Sequence, residues 1–383
     1  MRNRIIKCAV CIFIVFVNTV NLFCIDIKAE DKEYLFSYVL IESESKVIIS
    51  SENEYEKVPV GTMVKLMTVL ITADYIKRGE LSLNDKLKTS SYANSMHGAQ
   101  IWLMPNEEIT VDELLKAVII GNANDASTVL AEAISDSEEK FVELMNEYAE
   151  KLNMQNTEFT NCNGYYDDEK QISTAYDLAI LCSALTEYEF LQDYFNCWRD
   201  FVRNGETELV NANELVKSFK GITVGKAGYT ENAGHCIAAA AERDGVSYIA
   251  VVLGCEEKDD IFFKSKNLLN TAFSEYTVFI PELPKNIPIE IEVKRGLAKT
   301  AALEFENVRK VVLPKGAVNT VASKVIVADY VYAPVNKGRK VGEIQFLRNG
   351  KMMFCVDIVT KENIKEINVS KSLDIILKKL LTF

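Results

Sequence analysis

Pro59-Val60-Gly61-Thr62-Met63-Val64-Lys65-Leu66-Met67-Thr68 is the stretch on which the fold turns. From Thr62 the residues Met63, Leu66, Met67, Leu70, Ile71 and Tyr75 recur at helical spacing and Gly79 offers a stop, so a helix is predicted to begin at Thr62 or just before it. Three residues of separation put the Thr62 hydroxyl and the Lys65 ammonium on one helical face, where they can touch. An alcohol is a weak nucleophile at neutral pH. A lysine whose pKa is lowered by burial can take its proton, and a helix N-terminus favours charge growing on an attacked carbonyl. Thr-x-x-Lys alone arises by chance in many helices, so the surrounding chain has to decide.

Just upstream, residues 35–50 alternate as Phe36, Tyr38 and Leu40, then Val47 and Ile49, around a polar break, the pattern of two strands joined by a turn. Downstream, Val111–Ile120, Ala126–Ile134, Glu138–Leu152 and Ala175–Leu185 read as helices. Two apolar, β-rich runs, Cys236–Glu242 and Val246–Gly254, then flank Arg243-Asp244-Gly245, a hairpin signal. β ends around a helical middle predict one α+β domain over residues 30–280. Five of the seven prolines fall at or beyond Pro281, and short β-rich runs recur at 308–313, 321–333, 341–347 and 352–359, predicting a small all-β sandwich over 281–362. Residues 363–383 read as a tail whose last part is amphipathic, with Leu373, Ile376, Leu377, Leu380, Leu381 and Phe383 on one arc, suited to a membrane surface or to packing on the sandwich.

Residues 1–29 have the form of a signal peptide: Arg2, Arg4 and Lys7 precede an apolar run from Cys8 to Val20, and Ala29 offers a small residue for cleavage. The chain has a net charge of −12, and losing that segment makes it more acidic, which disfavours nucleic acid. The cysteines beyond it, at 162, 182, 197, 236, 255 and 355, show no C-x-x-C and read as buried free thiols. Two histidines and no H-E-x-x-H give no metal site.

In order and spacing the motifs resemble those of the D-alanyl-D-alanine carboxypeptidases, the low-molecular-weight penicillin-binding relatives of the β-lactamases, with their S-x-x-K, S-x-N and K-T-G. Lys65-Leu66-Met67-Thr68 is similar to the segment after their nucleophile, Gly121-Asn122-Ala123-Asn124-Asp125-Ala126 to S-x-N-D-A, and Lys226-Ala227-Gly228-Tyr229-Thr230 to K-T-G-[HY]-T. Further similar stretches include Gly98–Leu103, Asn156–Phe159 and Ser173–Asp177. The resemblance implies a DD-peptidase/β-lactamase-like fold followed by a β-sandwich. It implies removal of the terminal D-Ala from peptidoglycan stem pentapeptides, β-lactams as inhibitors, no cofactor, and a place outside the cell membrane, held there by the C-terminal helix. It assigns Thr62 as nucleophile, Lys65 as base, Asn124 as an amide contact and Lys226 as partner of the substrate carboxylate. Asn122, Ala227, Gly228 and Tyr229 line the substrate, with the N–H groups of Thr62 and Tyr229 as oxyanion hole.

Three positions depart from the pattern: Thr62, Asn122 and Ala227 stand where Ser, Ser and Thr are expected. The added methyl of threonine restricts χ1 and crowds attack, an asparagine amide cannot relay a proton as a hydroxyl does, and alanine lacks a hydroxyl for the carboxylate. A catalytically weak or silent peptidoglycan-binding homologue is therefore the alternative. A β-lactamase fits less well, because no Glu-x-x-Leu-Asn segment lies between the second and third motifs.

Overall fold

The computed structural model describes residues 34–368 apart from 166–169, 307 and 309, so residues 1–29, read from sequence as a signal peptide, and the amphipathic part of the tail lie outside the described residues. A five-stranded antiparallel sheet is built from β1 (Ser37–Glu42), β2 (Ile48–Glu52), β3 (Ile222–Thr230), β4 (Gly234–Arg243) and β5 (Val246–Cys255), in the order β2-β1-β5-β4-β3. The hairpin between β4 and β5 turns on Asp244 (φ 53°) and Gly245 (φ 74°), the pair of positive φ angles that suits the strands' right-handed twist. Alternation along β4 sends Ile237, Ala239 and Ala241 to one face and Ala238 and Ala240 to the other.

One face is covered by a long helix, Lys258–Glu275, through Ile261, Leu269 and Ala272. Sequence periodicity did not mark this helix. The other face meets α1 (Lys65–Lys77), α2 (Val111–Ile119), α3 (Asn124–Ser135), α4 (Glu138–Lys151) and α5 (Ala175–Leu185), whose apolar residues share one core with the sheet. A capping box opens α2: Thr110 Oγ1 accepts from the Glu113 N–H at 3.3 Å, and Glu113 Oε2 accepts from the Thr110 N–H at 3.3 Å. The helix predicted from Thr62 differs in two ways. Gly61–Val64 form a 3-10 turn before α1, and every residue from Lys65 to Ala73 is buried, so α1 is a central helix enclosed on all sides.

Beyond the sheet, six strands curl into an all-β domain with its own core, centred on Ile344, Phe346, Phe354 and Ile358. Tyr276–Phe279, which precede residue 281, pair with Val311–Pro314 beyond it, so a strand joins the two regions. Residues 363–368, assigned from sequence to the tail, are fastened to this domain: Ile364 bridges Val335 and is buried, because it is apolar and completes that core. The six cysteines beyond residue 29 form no disulfide, and four of them, Cys162, Cys182, Cys236 and Cys255, are buried. Cys355 is exposed and Cys197 intermediate, since each stands on an outward-facing position.

Candidate active site

Thr62 sits in the 3-10 turn, where α1 points its N-terminus at the sheet's edge strand β3. Two glycines close around it. A Cβ on Gly228 of β3 would overlap Thr62 Oγ1, and one on Gly164 (φ 71°) would overlap the Gly61 carbonyl and stand 3.1 Å from Thr62 Cα. Gly164 needs glycine because backbone approaches backbone there, and Gly228 because the Thr62 side chain fills the space a Cβ would take. Gly61 (φ 47°) is in turn backed by Thr230, whose Oγ1 would lie 2.7 Å from a Cβ at 61. Among the described residues Thr62 Oγ1, although buried, has no hydrogen-bond partner.

The expected contact between Thr62 and Lys65 is not a hydrogen bond here. Lys65 Nζ donates instead to the backbone carbonyl of Asn163. A fully buried ammonium without acceptors is costly, and the carbonyl supplies one. Burial lowers the Lys65 pKa to about 7, an effect that the Asp125 carboxylate offsets only in part. Lys65 thus carries much of what a general base at neutral pH requires.

The carbonyl belongs to a loop that sequence reading passed over, Asn161–Tyr165. Asn161 Oδ1 accepts from the Gly164 N–H at 2.6 Å, and Asn163 Oδ1 from the Tyr165 N–H at 2.9 Å. The Cys162 carbonyl accepts from Thr68 Oγ1 of α1 at 2.7 Å and Ser127 Oγ of α3 at 2.8 Å. The loop is therefore bolted to both helices that carry site residues. A run of Asn, Cys, Asn and Gly between two helical patterns was a turn signal, but nothing in residue type shows a carbonyl that will hold a lysine.

Lys226 of β3 is buried and donates to the Val118 carbonyl at 2.6 Å and the Ile119 carbonyl at 3.4 Å, at the C-terminal end of α2. Its pKa lies well below the ordinary lysine value, through burial first and then the nearby Lys65 ammonium. Asn124 opens α3 with its N–H donated to the Ala99 carbonyl at 2.7 Å and its amide Nδ2 to the His97 carbonyl at 2.5 Å. Asn122 adopts a left-handed conformation (φ 60°), and among the described residues its buried Oδ1 has no partner. Asp125, fully buried, accepts from the N–H groups of Ile101, Leu103 and Ala126 at 2.9 to 3.2 Å and so ties the Ile101–Leu103 segment to the start of α3.

The structure thus brings Thr62, Lys65, Lys226 and Gly228 together, with Tyr229 half-exposed at the mouth, its ring 4.7 Å from His235. Ala227 is the exception. Strand alternation turns its methyl to the opposite face, where it is buried with Leu215, Ile237 and Ile261. Elsewhere, donor atoms of Glu343, Cys355 and Asp357 cluster within 4.8 Å, but Lys340 already bridges both carboxylates, at 3.0 and 2.6 Å.

Residues 28–257 match the family model described as D-alanyl-D-alanine carboxypeptidase, and residues 283–366 match that of the penicillin-binding protein 5 C-terminal domain. The chain is 34% identical over 335 residues to the D-alanyl-D-alanine carboxypeptidase DacF of Bacillus subtilis, covering 86% of each protein. It is 30% identical to DacC of Escherichia coli over 86% of this chain and 84% of the relative. Among solved structures it resembles penicillin-binding protein 5 of Haemophilus influenzae, with a TM-score of 0.77 and 25% identity over 86% of this chain and 97% of that one. Penicillin-binding protein D2 of Listeria monocytogenes, solved in an ampicillin-bound form, matches with a TM-score of 0.57 and 25% identity over 62% of this chain and 97% of that one. With motif order, sheet edge and glycine-walled hydroxyl in agreement, this chain belongs to the D-alanyl-D-alanine carboxypeptidase family of low-molecular-weight penicillin-binding proteins.

Proposed function

We propose that this protein removes the terminal D-alanine from peptidoglycan stem peptides ending in D-Ala-D-Ala, through an acyl-enzyme on Thr62. The observation that carries the reading is an unpartnered Thr62 hydroxyl walled by Gly228 and Gly164, one turn from a buried Lys65 that is half-neutral near pH 7. Neutral Lys65 takes the Thr62 proton as Oγ1 bonds to the penultimate D-Ala carbonyl carbon. The N–H groups of Thr62 and Tyr229 hold the oxyanion. When it collapses, the peptide C–N bond breaks, Lys65 returns the proton to the leaving amine, and D-Ala departs. Water, deprotonated by Lys65, then hydrolyses the ester. Lys226 attracts the substrate's terminal carboxylate and Asn124 contacts its amide. Asn122 replaces a hydroxyl relay, which leaves Lys65 to move the protons alone.

A silent peptidoglycan-binding role is the second reading. It is favoured by the absent Thr62–Lys65 bond and by the Asn124 amide's attachment to His97. Mass spectrometry of the purified protein with labelled penicillin, and with a tripeptide ending in D-Ala-D-Ala, separates the two. A Thr62 adduct and released D-Ala support turnover; neither product leaves the silent role.

Export and attachment to the outer face of the cell membrane belong to this proposal. Residues 1–29 and 370–383 are their supports in sequence; among the described residues no helix is long and apolar enough to cross a membrane. Membrane fractionation with and without the last fourteen residues tests the anchor, and equal partitioning removes it.

A further inference from the structure

We propose that Glu138 is a positioning residue for the base: its carboxylate holds the Asn161–Tyr165 loop in the place from which the Asn163 carbonyl fixes Lys65. Glu138 opens α4, directly after its N-cap Ser137, and is almost wholly buried. One carboxylate oxygen accepts from the Cys162 N–H at 2.9 Å, and the other accepts from the Tyr92 hydroxyl. Both backbone groups of Cys162 are therefore pinned, its N–H by Glu138 and its carbonyl by Thr68 and Ser127. The next carbonyl along, that of Asn163, takes the Lys65 ammonium, and the next residue, Gly164, walls Thr62. Glu138 touches neither nucleophile nor base, yet it fastens a stretch of loop that touches both.

Its action runs through geometry and not through charge. The titratable groups that face Lys65 are Asp125 from α3, the Cys162 thiol from the loop, and Lys226 from β3; Glu138 acts on the Cys162 thiol, whose pKa burial and this carboxylate push well up. A loosened loop admits water to Lys65, relieves its burial and lets its pKa rise. It also moves the base relative to Thr62, and a displacement of about 1 Å can cost roughly 100-fold in rate.

The inference rests on Lys65 serving as the base, so the test has one readout that does not need turnover. Glu138→Gln keeps the reach and the acceptor and loses the charge; Glu138→Asp keeps the charge and shortens the reach; Glu138→Ala loses both. The Lys65 pKa is read in each by NMR of protein labelled at lysine Cε, with the Lys65 signal identified from Lys65→Arg, and acylation by labelled penicillin is followed against pH alongside thermal melts. The expected order is Gln close to the parent, within about threefold, and Asp and Ala slower by about 10- to 100-fold with KM little changed and the Lys65 pKa raised above about 7. Should the parent itself fail to acylate, the proposed turnover falls while the NMR arm still decides the role of Glu138. An unchanged Lys65 pKa in Asp and Ala, or Gln more damaged than Asp, overturns the inference, and so does a lowered melting temperature with both pKa and rate intact.

Discussion

Gly228 of the edge strand lies so close to Thr62 that a Cβ built on it would overlap the threonine Oγ1 and stand 3.1 Å from its Cβ. The strand cannot easily retreat, because Gly228 is held in register with Cys236, with ladder pairs on both sides of it. Gly228→Ala therefore has to displace the nucleophile. The fold should survive with a small loss of stability, while acylation by labelled penicillin falls by about 100-fold or more. An alanine variant as fast as the parent would mean that Thr62 is not where the chemistry happens.

The methyl of Thr62 yields a second expectation. Serine keeps the hydroxyl and removes only the Cγ2, which restricts χ1 beside the gap to Gly228. Thr62→Ser should raise acylation by roughly 10- to 100-fold, and Thr62→Ala should abolish it. Stopped-flow measurement with a fluorescent penicillin reads both. A slower serine variant would show that the pocket has adapted to threonine.

Lys65 sets the pH dependence. Its folded pKa of about 7 lies below that of an exposed lysine, so the neutral, proton-accepting form is scarce below that pH and dominant above it. Acylation should rise about tenfold per pH unit below pH 7 and level off above it. A flat profile from pH 5 to 9 would remove Lys65 from the proton-transfer step.

These residues differ in how far sequence could reach them. Thr62, Lys65, Lys226 and Gly228 were legible because their types and order recur in a known family, and each is a side chain or a missing side chain. The acceptor of Lys65 was not, because any residue type can offer a backbone carbonyl, and only the fold of Asn161–Tyr165 brings that of Asn163 to the lysine. Ala227 was read as facing the substrate from its place in the motif, whereas the period of two along β3 sends its methyl to the Lys258–Glu275 side. Periodicity also gave α5 its full span, Ala175–Leu185, but misjudged α1, since a helix buried on every side has no polar face to reveal its orientation.

Asp125 offers a test of the scaffold, read through stability. Its buried carboxylate satisfies backbone donors of Ile101, Leu103 and Ala126. Burial raises its pKa, though those N–H groups work in the other direction. Asp125→Ala orphans these donors at about 1 to 3 kcal/mol each where no water replaces the carboxylate, so a loss of about 3 kcal/mol or more is expected in urea unfolding. A loss under about 1 kcal/mol would show that water fills the gap.

Lys226 leads to the last prediction. In the free protein its ammonium is disfavoured by burial and by Lys65, and among the described residues its hydrogen bonds go to two backbone carbonyls, those of Val118 and Ile119. Carbonyls at a helix C-terminus favour a cation only modestly. An incoming carboxylate adds a full negative charge and raises the lysine pKa. The sign follows: a group whose pKa is lower in the free protein than in the complex takes up protons on binding at pH values between the two, so affinity should fall as pH rises through that window, by up to about tenfold per pH unit. Calorimetry of a D-Ala-D-Ala-ended tripeptide binding to Thr62→Ala, in two buffers of different ionisation enthalpy, measures the proton directly. Uptake of up to about one proton is expected, and Lys226→Met should remove it together with most of the affinity. Equal heats in the two buffers would show that the carboxylate is met by a lysine already charged, and the burial of Lys226 would then have no part in recognising the substrate.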